Sequence, residues 1–238
     1  MKNITKPVIL MILLLLGGQV AMAHAIWIES VSVAKKNQSQ EVKVFYGEYA
    51  SGEIEKTDKW YSDLKNIEVW LHTPSKKRVK LQLEDKQDYL LSSFLPSEDG
   101  VYYITTVHTA KELGGTTKYE FSSFLPVKVG KETVNRDMSI VQPLSVSVQT
   151  DISGQNSKIN ALVSKNGKPL ENAEVIVMSS SGWSKTFKSD SQGQVSFEPL
   201  WKGAYVTEAS QYLPEAGNWG GKAFTHAWQG STTFFEIK

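Results

Sequence analysis

Along most of this chain apolar and polar residues alternate one by one, and no other feature of the sequence restricts its fold as strongly. The runs E-V-K-V-F-Y, N-I-E-V-W-L, R-V-K-L-Q-L, G-V-Y-Y-I-T-T-V, S-V-S-V-Q-T, A-E-V-I-V-M, Q-V-S-F and T-T-F-F-E-I are rich in β-branched and aromatic residues. Successive side chains of a strand point to opposite faces, so period-two runs bounded by Gly, Asn, Asp, Ser and Pro read as half-buried strands. The spacing of three and four that an amphipathic helix needs is not what these runs show. The sequence predicts an all-β fold with little helix.

A change of character near V-G-K-E-T-V-N-R-D-M-S-I-V-Q-P-L, residues 129–144, divides the pattern. Beyond it Asn166-Gly167 is a strong two-residue turn signal, Pro169 pre-sets a loop, and Asp190 to Gly193 supplies a second tight turn before Gln194–Phe197. The reading is two tandem β-sandwich domains, the first over 24–140 and the second over 145–238. The pentapeptide S-S-F-L-P occurs at 92–96 and again at 122–126, but its flanks do not match, so it is read as coincidence or as two equivalent strand ends.

The chain starts M-K-N-I-T-K, continues through an apolar stretch from Val8 to Leu16, and reaches A-M-A at 21–23. A basic start, a short apolar segment and a small-x-small site are the marks of a cleaved secretory signal peptide, here residues 1–23. The apolar stretch is short for a membrane span, which takes about 20 residues. The mature protein is therefore expected to have no membrane span. With no cysteine in the chain there is no disulfide and no thiolate metal site. Export without cysteine points to the periplasm. A formal net charge of +1 gives no electrostatic support to nucleic-acid binding.

Two segments carry a resemblance. G-K-P-L-E-N-A-E-V-I-V, followed by D-S-Q-G-Q-V-S-F-E-P-L-W-K-G-A-Y-V, resembles the immunoglobulin-like modules of bacterial surface and periplasmic proteins. With the start H-A-I-W-I-E, the element G-E-Y-A-S-G-E at 47–53 and the ending F-T-H-A-W-Q-G-S-T-T-F-F-E-I, most of the mature chain resembles the DUF4198 family. Its members are exported, two-part β proteins, some of them associated with nickel or cobalt uptake. The resemblance implies a metal-binding protein that captures a divalent transition ion, nickel or cobalt, and delivers it to a membrane transporter.

The chemistry that could serve such a role starts at His24. Cleavage after Ala23 would make it the first residue, where an α-amine and Nδ1 can close a chelate ring on one ion. The amine has an ordinary pKa of about 7.7–8.0, so a metal displaces its proton near neutral pH at modest cost. Cleavage after Ala25 also satisfies the small-x-small rule and would discard the histidine. The terminal motif that binds copper or nickel through two backbone amides needs histidine in third position, which an H-A-I start does not offer. A second imidazole is therefore expected from elsewhere, in the order His108, His226, His72. Glu48 or Glu53 could add an oxygen or orient a ring. Such a nitrogen set favours copper(II) or nickel(II), with copper thermodynamically ahead; nickel or cobalt is the metal the resemblance implies, and copper is the alternative.

Other readings compete. Four histidines in a chain of this length are no enrichment, and any internal one is more often a hydrogen-bonded structural residue. Trp183, Trp201, Trp219 and Trp228 could form a glycan-stacking face in an adhesion module, although aromatics at strand positions more often fill sandwich cores. The loop Q-Y-L-P-E-A-G-N-W-G-G-K at 211–222 reads as a long flexible excursion that exposes Trp219. Neither G-x-S-x-G nor H-E-x-x-H occurs, so no enzyme is expected. The basic K-K-R-V-K at 76–80 reads as the solvated face of a hairpin.

Overall fold

The computed structural model describes residues 24–131, 137, 139–149 and 158–237; the expected signal peptide lies outside them. Among the described residues the only helical pieces are three single 3-10 turns, at Tyr49–Ser51, Thr57–Lys59 and Leu64–Asn66. The rest of the regular structure is strand, and the chain is all-β. In order these are β1 (Ala25–Glu29), β2 (Val33–Ala34), β3 (Gln40–Glu48), β4 (Glu53–Ile54), β5 (Val69–His72), β6 (Arg78–Leu81), β7 (Glu84–Asp85), β8 (Leu90–Phe94) and β9 (Gly100–Thr109). Then follow β10 (Thr117–Val129), β11 (Leu144–Gln149), β12 (Ile159–Lys165), β13 (Lys168–Pro169), β14 (Glu174–Ser179), β15 (Ser184–Lys188), β16 (Gln194–Phe197), β17 (Gly203–Trp219) and β18 (Lys222–Ile237).

The strands form three sheets. A nine-stranded sheet runs β15-β14-β17-β18-β10-β9-β5-β6, with β2 added on β10; a five-stranded sheet runs β1-β3-β8-β7 with β4 on β3; a four-stranded sheet runs β11-β12-β13 with β16 on β12. The large sheet is the shared wall of two cores. Neighbouring residues on its strands face opposite ways: Phe234 and Val206 join the core with Ile26, Val42 and Tyr102, whereas Phe235 and Tyr205 join the core with Val146, Ile159 and Val163. Both faces of β17 and β18 are thus covered, which is why their middle carries the small buried residues Thr207, Ser231, Thr232 and Thr233. Thr232 Oγ1 donates to the carbonyl of Ile26 at 2.6 Å, pinning β1 to the large sheet.

The β17–β18 hairpin crosses the sequence division. Its lower half pairs with β14, while residues 226–232 of β18 run parallel to 117–123 of β10. Residues 211–222, expected to be a flexible loop, are instead the upper part of this hairpin, closed at Gly220-Gly221, where Trp219 pairs with Lys222. Their alternation is broken at a bulge between Pro214 and Gly217, which hides the strand from a period-two reading.

Each core also holds one copy of a motif, F-x-P-x-x-x-G-x-Y, at 94–102 and 197–205. In both copies the tyrosine hydroxyl reaches back four residues. Tyr102 donates to the Glu98 carbonyl at 3.2 Å and accepts from the Ser97 and Glu98 amides, and Tyr205 donates to the Trp201 carbonyl at 2.8 Å and accepts from its amide at 3.3 Å. A buried phenol that ties the turn before its own strand is the tyrosine corner of immunoglobulin-like sandwiches.

Candidate metal centre

His24 lies just before β1, beside the point where Ala25 pairs with Gly47 of β3. The chain after Gly47 makes a short detour and returns. Tyr49–Ser51 form one 3-10 turn, Gly52 takes a left-handed conformation (φ 72°), and Glu53–Ile54 pair back on Glu48 and Gly47. The return passes so close that a Cβ on Gly47 would lie 2.2 Å from the Glu53 carbonyl oxygen, and Gly47 itself holds φ 153°. Glycine is needed on both counts. This is the physical meaning of G-E-Y-A-S-G-E.

Glu55 is then held from both sides. Its amide donates to the Tyr46 carbonyl at 2.9 Å, and its carbonyl accepts from the indole of buried Trp60 at 3.0 Å. Alternation along the returning strand puts Glu53 and Glu55 on one face, and that face meets His24. Glu55 Oε1 lies 3.3 Å from His24 Nε2, and the ring of His24 packs on that of Tyr46 at 5.4 Å. The ligand atoms of His24, Glu53 and Glu55 all lie within 4.8 Å of one another, close enough to share one ion.

Behind this group stand two more carboxyls. Burial pushes Glu48 up, the nearby Glu53 pushes it further, and His24 acts against both. One Glu48 oxygen is buried with no hydrogen-bond partner among the described residues. Glu208 on β17 is buried, and burial together with the charge of Glu48 raises it to about 8. A buried, unpartnered carboxylate oxygen costs free energy unless a proton or a cation meets it. The donor set that converges, one imidazole and two reachable carboxylates, suits a divalent cation.

The other three histidines have different company. His108 Nε2 bonds to Asp63 Oδ1 at 3.0 Å; burial opposes ionisation of that carboxyl, but His108 and the Lys111 amide outweigh it and hold Asp63 below the usual carboxylate range. His226 bonds through Nδ1 to Thr225 Oγ1 at 2.9 Å and stacks on Tyr212 with centroids 4.9 Å apart. His72 bonds to Thr105 Oγ1 at 2.9 Å, and burial, then Arg78, depress its pKa. Among the described residues no second histidine joins His24 in a group of three or more ligand atoms; carboxylates do. Glu48 and Glu53 are named from the sequence, Glu55 and Glu208 are not; for Glu55 the signal is the pair of glycines that brackets 47–52.

Of the four candidate tryptophans, Trp201 and Trp219 are exposed, Trp219 as expected. Trp228 is buried in the first core; Trp183 and Trp201 meet edge to face at 6.0 Å; Trp219 donates its indole N–H to the Ala110 carbonyl at 2.8 Å. In the basic segment Lys76 pairs with Asp137, Arg78 lies over Trp70 at 3.9 Å, and Lys80 pairs with Glu68.

These features define an all-β protein of immunoglobulin-like build with a histidine–carboxylate cluster at the start of its first strand. The chain belongs to the family described as a domain of unknown function, DUF4198, whose model matches residues 21–212. No curated protein matches it. Among solved structures it is similar to the native conformation of E. coli alpha-2-macroglobulin (10% identity, TM-score 0.27, covering 90% of this chain and 14% of that one). A two-domain fibronectin type III segment of chicken tenascin is similar at 12% identity and TM-score 0.25, over 85% of this chain and 95% of that one. The BSP domain of a biofilm-associated protein is similar at 10% identity and TM-score 0.22, over 87% and 29% respectively. The chain thus spans a small part of the first of these proteins.

Proposed function

We propose that this is an exported, periplasmic metal-binding protein that captures a divalent transition ion, nickel or cobalt, at His24 and hands it to a membrane transporter. The observation that carries the reading is the convergence of His24, Glu53 and Glu55 within 4.8 Å at one edge of the fold. Cleavage after Ala23 would add the α-amine of His24 to the imidazole, giving two nitrogens and two carboxylate oxygens. Mixed nitrogen and oxygen donors of this kind suit nickel(II), and also copper(II), which binds such sites more tightly where it is available. Glu48, whose carboxyl feels the charges of His24 and Glu53, would add negative potential when ionised. Neutralising carboxylates by a cation removes their mutual repulsion, so binding also stabilises the fold.

The test is calorimetric titration with Ni²⁺, Co²⁺ and Cu²⁺, using protein whose N-terminus mass spectrometry has shown to be His24. Replacement of His24 by Ala is expected to abolish measurable binding. Equal affinity with and without the histidine would overturn the reading.

A further inference from the structure

Next to His24, five aromatic rings line an open cavity of about 250 Å³: Tyr46, Tyr61, Tyr119, Phe121 and Trp228. They come from four separate parts of the chain and brace one another. Phe121 and Trp228 lie 5.2 Å apart, Tyr119 and Trp228 5.7 Å, Tyr61 and Tyr119 5.8 Å, and Tyr46 meets Phe121 edge on at 6.0 Å. Gly114 lines the same space because a Cβ there would lie 2.5 Å from the Tyr119 ring. Tyr46, Phe121 and Trp228 are buried at their backs in the first core, whereas Tyr61 and Tyr119 are half exposed.

His24 is the one basic residue that lines this cavity. No lysine or arginine lines it. The Glu55 carboxylate stands at His24, and the Tyr61 hydroxyl donates to the Glu112 carbonyl at 2.9 Å. Burial first, and then the charges of Glu55 and Glu112 with the neighbouring phenols, push the hydroxyls of Tyr46 and Tyr61 above their ordinary range. Aromatic faces carry the negative part of the ring quadrupole and attract a desolvated cation. A primary ammonium would need acceptors for three N–H bonds, which the ring faces do not supply; a fully methylated ammonium needs none.

We propose that the five-ring cavity beside His24 binds a small quaternary ammonium group, such as a trimethylammonium head. The site goes beyond the metal reading and does not require it, since its walls are the rings.

The experiment is titration of the full processed protein, in the presence of a metal chelator, with tetramethylammonium, choline and the uncharged choline analogue 3,3-dimethyl-1-butanol, read by calorimetry and tryptophan fluorescence. The two cations are expected to bind, with the neutral analogue weaker by about tenfold or more. Tyr61→Phe keeps the ring and should keep the affinity, whereas Tyr61→Leu should lose roughly three- to tenfold. Equal binding of choline and its neutral analogue, or no binding of any of the three, would overturn the proposal. If Tyr61→Leu does not fold, the comparison of the two isosteric ligands on the unmodified protein decides alone. Because the chelator removes metal, failure here leaves the metal reading standing, and failure of metal binding leaves this one.

Discussion

Gly47 and Glu53 touch where no side chain fits between them: a Cβ on Gly47 would stand 2.2 Å from the Glu53 carbonyl oxygen. That contact lays β4 against β3 and carries Glu53 and Glu55 to His24. In Gly47→Ala the returning strand must shift, and the backbone must hold an alanine at φ 153°. The expected cost is about 1–3 kcal/mol, from a special backbone position of this kind. Urea unfolding measures it. The same variant is expected to weaken Ni²⁺ binding by roughly tenfold or more, as displaced supporting groups do at metal sites.

Glu208 is expected to make the metal-free protein sensitive to alkali. A carboxyl whose pKa rises from its ordinary 4.5 to about 8 on folding binds a proton more tightly in the folded state. Its stabilising contribution is full below the unfolded value and is lost as pH climbs through the folded one, so stability should fall between about pH 4.5 and 8, with a slope of up to about 1.4 kcal/mol per pH unit. Glu208→Gln removes the titration. Thermal melts of chelator-treated protein at pH 5, 6.5 and 8 should show a flatter profile for the variant and the largest gain in Tm over the parent at pH 8. Parallel profiles for parent and variant would mean that Glu208 does not titrate in this window.

The two internal tyrosine corners should respond alike. Tyr102→Phe and Tyr205→Phe each remove a hydroxyl that both donates to and accepts from the backbone four residues earlier. Each is expected to cost about 1–2 kcal/mol in chemical unfolding, because polar backbone groups lose a buried partner. Neither is near His24 in the strand register, so metal affinity should not move in either variant.

Much of the strand set was legible because a half-covered strand shows its face. Val42 and Val44 of β3 and Val69 and Leu71 of β5 alternate as the pattern demands. Asn166-Gly167 turns with both residues at positive φ, and Asp190 Oδ1 accepts from the amides of Gln192 and Gln194, as the turn signals imply. What stayed hidden depends on distance through space. The upper half of β17 is mostly exposed and bulged, so its period is lost, and residues 211–222 read as loop. His24 could be picked out from its place after A-M-A, and Glu48 and Glu53 from the G-E-Y-A-S-G-E element, but Glu55 could not. The carboxylates reach it only because Gly47 and Gly52 fold the chain back, and a search for imidazole partners passes over Glu55.

His108 and His24 differ in the partners they keep. His108 bonds to Asp63, whose carboxyl also takes the Lys111 amide and ties the loop after the Tyr61–Ser62 bend to the end of β9. His108→Ala leaves that carboxylate with one partner fewer, so stability should drop by about 1–2 kcal/mol, while calorimetric Ni²⁺ affinity stays at the parent value. Asp63, held below its ordinary pKa, contributes stability that is present above the unfolded value and lost as pH falls through the folded one. The difference between parent and His108→Ala should therefore shrink in acid, below about pH 4. If His108→Ala instead abolished Ni²⁺ binding and left stability untouched, the roles of the two histidines would have to be exchanged, and the carboxylates around His24 would be an electrostatic surface rather than a ligand set.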